Sequence, residues 1–155
     1  MSISTCDLYD ERGDELQSVT TQFISVGGVH QFTGPIRTVR CFESNVDVKE
    51  LVATPGEGAV LVVDGQGSMN CALLGDNVAR TAMQNGWAGL VINAPVRDRV
   101  ELGTLEIGVK ALGTNPRKSS PNDFGETDVI LNFGGVTFRP GKTLWADEDG
   151  ILVER

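Results

Sequence analysis

The chain has 155 residues, 40% of them hydrophobic and 22% charged, with 19 glycines, which fits a single turn-rich globular domain over residues 1–155 and excludes a disordered or fibrous protein. Its 21 acids against 13 bases give a net charge of −8, which argues against a nucleic-acid partner, because phosphate binding draws on clustered Lys and Arg. Cys6, Cys41 and Cys71 are odd in number and form no CxxC pair, and no segment reads as a secretory leader or membrane span, so we expect a reduced, cytoplasmic protein without disulfides, structural zinc or membrane contact.

Residues 1–30 read as an N-terminal arm and loop packed on the domain. Within them, residues 4–16 can form a short capped helix with acids in its first turn. Loop then continues to Gly34-Pro35 with at most a short strand. The β-branched, alternating residues 36–42 predict a half-buried strand, and residues 46–51 a brief helical turn. A turn at 55–58 leads into the apolar run 59–63, a strand buried on both faces. Asp64-Gly65-Gln66-Gly67 has tight-turn chemistry, from which residues 69–73 are expected to return as the next strand; the glycines match neither a dinucleotide fingerprint nor a phosphate loop.

Residues 77–85 place Val78, Ala79, Ala82 and Met83 on one stripe, with Gly86 as a left-handed stop, and predict a helix. Residues 89–93 and 106–112 predict two more strands, and the polar stretch 116–125 a surface loop. From residue 129 the pattern is hairpins: 129–133 with 136–138, then 143–145 with 151–153. The expected class is therefore α/β, one domain with a central βαβ unit and C-terminal β-hairpins.

The chemistry concentrates between Gly75 and Glu101. Twenty residues separate Asp76 from Arg97-Asp98, and two more separate Asp98 from Glu101. A strand at 69–73, the helix and the strand at 89–93 would make a right-handed βαβ unit, bringing both segments to the sheet edge where ligands collect. The N–H groups of Gly75, Asp76, Asn77 and Val78 at the helix start would cradle a small carboxylate. Arg97 offers a planar fork for carboxylate or carbonyl oxygen, and Asp98 a hard oxygen for Mg²⁺ or Mn²⁺. Three structural readings compete: Asp76 as an N-cap, Asp98 with Glu101 as a capping box, and Arg97 with Glu101 as a helical ion pair. Elsewhere, Lys110 is the central lysine that a Schiff-base route would need, expected on a strand facing solvent, and His30 has no motif joining it to Cys41 or Cys71.

The stretches VVDG at 62–65, NGWAGLV at 85–91, VRD at 96–98, VILNFGGVTF at 129–138 and ADEDG at 146–150 resemble the RraA-like family over nearly the whole chain. That family contains regulators of ribonuclease activity and class II 4-hydroxy-4-methyl-2-oxoglutarate aldolases. The resemblance implies a swivelling β/β/α fold and a homotrimer with sites near subunit interfaces. The aldolase-competent pattern is an Asp, twenty residues, Arg-Asp, two residues and an acid, which Asp76, Arg97, Asp98 and Glu101 complete. By position it implies a substrate loop at Gly75, Asp76, Asn77 and Val78, substrate binding by Arg97 and metal binding by Asp98, with Glu101 behind the metal ligand; we expect catalytic roles for Arg97, Asp76 and Glu101. The implied activity is metal-dependent cleavage of a 4-hydroxy-2-oxo acid to pyruvate, with oxaloacetate decarboxylated through the same enolate. The alternative is a non-catalytic inhibitor of a ribonuclease E-type endonuclease.

Overall fold

The computed structural model describes residues 4–155. Its centre is four parallel strands, β3 (Phe32–Arg40), β4 (Val60–Asp64), β5 (Gly89–Val96) and β6 (Gly108–Thr114), in that order across the sheet. Alternation explains their burial on both faces. Leu61, Val63, Leu90, Ile92, Val109 and Ala111 point to one core, whereas Val60, Val62 and Val91 point to the other.

The first core is closed by helices α2 (Val46–Val52) and α3 (Asp76–Gln84), and by the short α4 (Arg99–Leu102) through Leu102. Ala79 and Ala82 bring α3 close to the sheet, and Gly86 at φ 81° ends it as the sequence predicts. The second core is closed by the hairpin of β8 (Leu131–Phe133) and β9 (Val136–Phe138). The antiparallel strands β10 (Thr143–Ala146) and β11 (Ile151–Glu154) extend the sheet beyond β3 and add Leu144, Ala146, Ile151 and Val153 to that core. Two β layers and one α layer result. Helix α1 (Thr5–Arg12) is capped by Ser4, which accepts from Asp7 N, and β1 (Leu16–Ser18) pairs with β11. The short β2 (Ile24–Ser25) edges β6, and β7 (Glu126–Thr127) pairs with β3. Among the described residues no helix is long and apolar enough to cross a membrane.

Two elements depart from expectation. Strand β3 begins at Phe32, and Gly34-Pro35 lies inside it, because the strand changes partner there. Residues before Ile36 pair antiparallel with β10, and those from Ile36 onward pair parallel with β4. A Cβ on Gly34 would collide with Gly58 O, so the glycine serves close approach rather than a turn. Residues 69–73 form no hairpin strand. The turn at Gln66-Gly67 exists, with φ of 60° and 74°, but the chain runs on to lie beside the end of β5. The βαβ unit is therefore β4–α3–β5, and residues 65–75 belong to its crossover.

Phe32 lies over Gly89 and Gly108, which face each other on β5 and β6; a Cβ on either would collide with its ring. The Phe32 ring is buried in the second core. Gly108→Ala is expected to destabilise the fold by about 2 kcal/mol through overpacking. Scanning calorimetry should then show a thermal midpoint lower by roughly 4–8 °C.

Candidate active site

The crossover makes the site. Leu73 N donates to Pro95 O at 3.0 Å and Arg97 N to Leu74 O at 2.9 Å, so Leu74 runs parallel beside Val96. The chain turns from Leu74 into α3, and Gly75 arrives against the residues that follow β5. Gly75 is the N-cap of α3 in extended backbone, without a side-chain cap, and Asp76 is the first helical residue rather than the cap. The N–H groups of Asp76, Asn77 and Val78 have no acceptor within the helix.

Asp76 N donates instead to Asp98 Oδ2 at 3.2 Å. Asp98 has φ 60° and ψ 43°, a left-handed conformation that costs a non-glycine residue about 1–3 kcal/mol. Its side chain makes no capping bond to α4, so the capping-box reading fails. The conformation aims the carboxylate across the cleft at α3, and Oδ1 has no hydrogen-bond partner among the described residues. Arg97 Nε stands 3.9 Å from Asp98 Oδ2, and Nη1 donates to Pro116 O at 3.2 Å. Asp76 Oδ2 is 3.6 Å from Arg80 Nη1, one helical turn on. The side chains of Arg97 and Asp98 are about one-third exposed and that of Asp76 27%, so the group is open to a ligand.

A cleft of about 280 Å³ joins these groups. Gly75, Asp76, Asn77, Val78, Arg97 and Asp98 all line it, whereas Glu101 lies exposed on α4 outside it and pairs with neither Arg97 nor any other cation among the described residues. The other wall comes from segments read from sequence as peripheral: Lys49 of α2, and Lys118 and Ser119 of the 116–125 loop. The loop is pinned by ladder contacts of Lys118 with Ala72 and Ser120 with Ser44. Neither lysine carries a motif; the one local signal was a basic pair, Arg117-Lys118, in an acidic chain.

Gly75 has a specific reason to be glycine. Its φ of −132° suits any residue, but a Cβ there would stand 2.7 Å from Asp98 Oδ2. The obstacle is the end of a side chain, so Gly75→Ala should displace the carboxylate and leave the fold intact. Any turnover that depends on this carboxylate is expected to fall by about 10–100-fold, the cost of a misplaced reacting group. Circular dichroism melting should show a midpoint unchanged within about 2 °C.

Two alternative chemistries lose ground. Lys110 is buried rather than solvent-facing. It lies on the second-core side of the sheet, and Nζ donates to Asp147 O at 2.6 Å. Burial pushes its ammonium below the ordinary value, against the opposing pull of Asp147, Glu148 and Asp149, but it does not line the cleft. Burial likewise pushes the Cys41 thiol up to about 12, with Asp47 and Asp64 adding to the effect, so it is no ready nucleophile. His30 is exposed, and all three cysteines are free.

The family model RraA-like (Aldolase/RraA) matches residues 5–153. The chain belongs to the RraA-like family. It is 52% identical over 155 residues, all of this chain and 96% of the relative, to "Putative 4-hydroxy-4-methyl-2-oxoglutarate aldolase" of Alkalilimnicola ehrlichii. A Geobacillus kaustophilus crystal structure titled as an S-adenosylmethionine:2-dimethylmenaquinone methyltransferase matches with a TM-score of 0.96 at 48% identity, over 98% of this chain and 94% of the other. The RNA-processing inhibitor RraA from Thermus thermophilus matches with a TM-score of 0.94 at 45% identity, over 99% and 93%. The RraA-like fold is thus common to proteins named for three different activities, and the chemistry of the cleft has to separate them.

Proposed function

We propose that the cleft is the active site of a divalent-metal-dependent lyase that cleaves 4-hydroxy-4-methyl-2-oxoglutarate or a close analogue to pyruvate. The carrying observation is the joining of Arg97 and Asp98 to the start of α3 through Leu74 and Val96. The aldolase name of the Alkalilimnicola relative supports the same reading. A small cleft lined by Lys49, Arg97 and Lys118 suits a polyanion and repels a sulfonium methyl donor, which disfavours the activity named for the Geobacillus structure.

The donor set fits Mg²⁺ or Mn²⁺ held largely by water and substrate. Among the described residues no cluster of three His, Cys, Asp or Glu could form a closed metal cage. Asp98 Oδ1 is an unengaged hard oxygen beside an open cleft, and Mg²⁺ commonly takes one or two carboxylates and keeps several waters. Asp98 would hold such a cation, which when bound supplies Lewis acidity toward the 2-oxo and carboxylate oxygens of the substrate.

The protein's own groups account for the rest. The N–H groups of Asn77 and Val78, at the positive end of α3, receive the C1 carboxylate. Arg97 directs its remaining N–H donors at the keto oxygen, where negative charge grows as the C3–C4 bond breaks. Asp76 accepts the C4 hydroxyl proton, directly or through a water it holds. The C4 hydroxyl becomes a ketone, giving one pyruvate, and the C1–C3 fragment leaves as the pyruvate enolate, which a proton at C3 converts to the second. Oxaloacetate loses CO₂ through the same enolate. Glu101 has no step, because it lies outside the cleft. The family homotrimer belongs to the proposal and is checked by sedimentation velocity.

The test is pyruvate release from 4-hydroxy-4-methyl-2-oxoglutarate and from oxaloacetate, with Mg²⁺ or Mn²⁺ and after chelation. Release that stops on chelation is the expected result; no metal-dependent pyruvate from either substrate overturns the proposal. The Thermus structure's name, at 45% identity, supports a second reading, inhibition of a ribonuclease E-type endonuclease, for which a charge of −8 suits docking on a basic segment. Binding to such an enzyme, with inhibition of its RNA cleavage, tests that reading.

A further inference from the structure

We propose that Lys49 and Lys118 form a distal anion subsite that makes the cleft select dicarboxylate over monocarboxylate 2-oxo acids. The inference rests on the reading that a 2-oxo acid binds with its C1 end at Arg97, Asp98 and the start of α3. It adds what holds the other end.

Both lysines line the cleft, and neither ammonium group has an ion-pair or hydrogen-bond partner among the described residues. In a chain with 21 acids that is a marked local departure, since neither of the two carboxylates lining the same cleft, Asp76 and Asp98, pairs with a lysine. Asp76 faces Arg80, and Asp98 faces Arg97 and Asp76 N. The two lysines therefore leave positive charge unbalanced at the wall away from the α3 start.

That wall is built to hold them. Lys118 sits in a segment fixed from both sides: Ala72 N donates to Arg117 O at 2.8 Å, and Ser120 N to Glu43 O at 2.8 Å. Asp47, on the same helix as Lys49, accepts from Gly125 N through Oδ2, so α2 and the loop form one unit. Fixed backbones beneath flexible lysines let the ammonium groups close on an anion without a loop having to order, which limits the entropy cost of binding. A substrate with one carboxylate fills the Arg97 end alone. A second carboxylate, at C5, would reach the two free cations and gain charge-assisted hydrogen bonds.

Titration calorimetry with saturating Mg²⁺ tests this on the whole protein, comparing 2-oxoglutarate with pyruvate. 2-Oxoglutarate has both carboxylates and no C4 hydroxyl, so it is not cleaved, and its binding is read whether or not the wild type releases pyruvate from an aldol substrate. Absence of turnover would sink the aldolase reading alone. The wild type should bind 2-oxoglutarate more tightly than pyruvate. Lys49→Ala and Lys118→Ala should each weaken 2-oxoglutarate about fivefold and together about thirtyfold, the scale of exposed charge pairs. Pyruvate affinity should stay within about twofold, and Lys→Arg at each position should restore most of the selectivity. An equal loss for both ligands, no loss for either, or a wild type that does not prefer 2-oxoglutarate overturns the proposal.

Discussion

Asp98→Asn is expected to lower kcat/KM for pyruvate release by about a thousandfold, equivalent to about 4 kcal/mol of transition-state stabilisation, the scale of a lost Lewis acid. The substitution is chosen to change one thing. Asparagine tolerates the left-handed backbone at φ 60° as well as aspartate does, so the turn after β5 should survive. Its amide oxygen can still accept from Asp76 N, which now donates to Oδ2 at 3.2 Å. What disappears is the negative charge proposed to draw a divalent cation into a cleft whose other charged lining is Asp76 and three basic side chains. Calorimetric titration of Mg²⁺ should lose its binding signal in the variant, and the thermal midpoint in chelator should match the wild type within about 2 °C. Metal-dependent turnover that persists at more than a tenth of the wild-type rate would remove Asp98 from the metal-binding role.

The sequence made much of this architecture legible because burial leaves a period. The run at 59–63 announced a strand covered on both faces, and β4 is one, with Leu61 and Val63 facing the helices and Val60 and Val62 the hairpin layer. The stripe of Ala79 and Ala82 announced α3. Partners leave no such trace. Cys71, Ala72, Leu73 and Leu74 are buried as a strand would be, yet Leu74 pairs with Val96 instead of returning along β4. That difference is what carries Gly75 to Asp98. Gly34-Pro35 misled for a related reason: as a dipeptide it signals a turn, but here it marks where one strand exchanges an antiparallel neighbour for a parallel one.

The cleft divides the same way. Asp76, Arg97 and Asp98 could be proposed from spacing because one helix and one strand separate them, a distance that a βαβ unit fixes. Lys49 and Lys118 could not. Their meeting depends on the 116–125 loop crossing beside both Ser44 and Ala72, two long-range contacts that no local pattern encodes. Glu101 shows the converse. It completes a sequence pattern, but α4 turns it out of the cleft that its neighbours line.

Arg97→Lys should separate the role of charge from that of geometry at the keto oxygen. Lysine keeps the positive charge but loses the planar fork, so it cannot hold Pro116 O and still present an oriented pair of donors to substrate. If Arg97 stabilises the enolate as it forms, that interaction is stronger in the transition state than in the bound substrate. The expected result is a fall in kcat of about 100–1,000-fold, the effect of removing one oriented oxyanion donor, with KM for 4-hydroxy-4-methyl-2-oxoglutarate changed less than about threefold. The contact with Pro116 supplies the rival outcome. Releasing it would loosen the loop that carries Lys118, and this would appear as a raised KM at nearly constant kcat. Exchange of the pyruvate methyl protons with deuterated solvent, followed by NMR, isolates the enolate step without carbon–carbon cleavage and should slow by the same factor as kcat. Unchanged exchange beside a raised KM would assign Arg97 to holding the loop instead of stabilising the enolate.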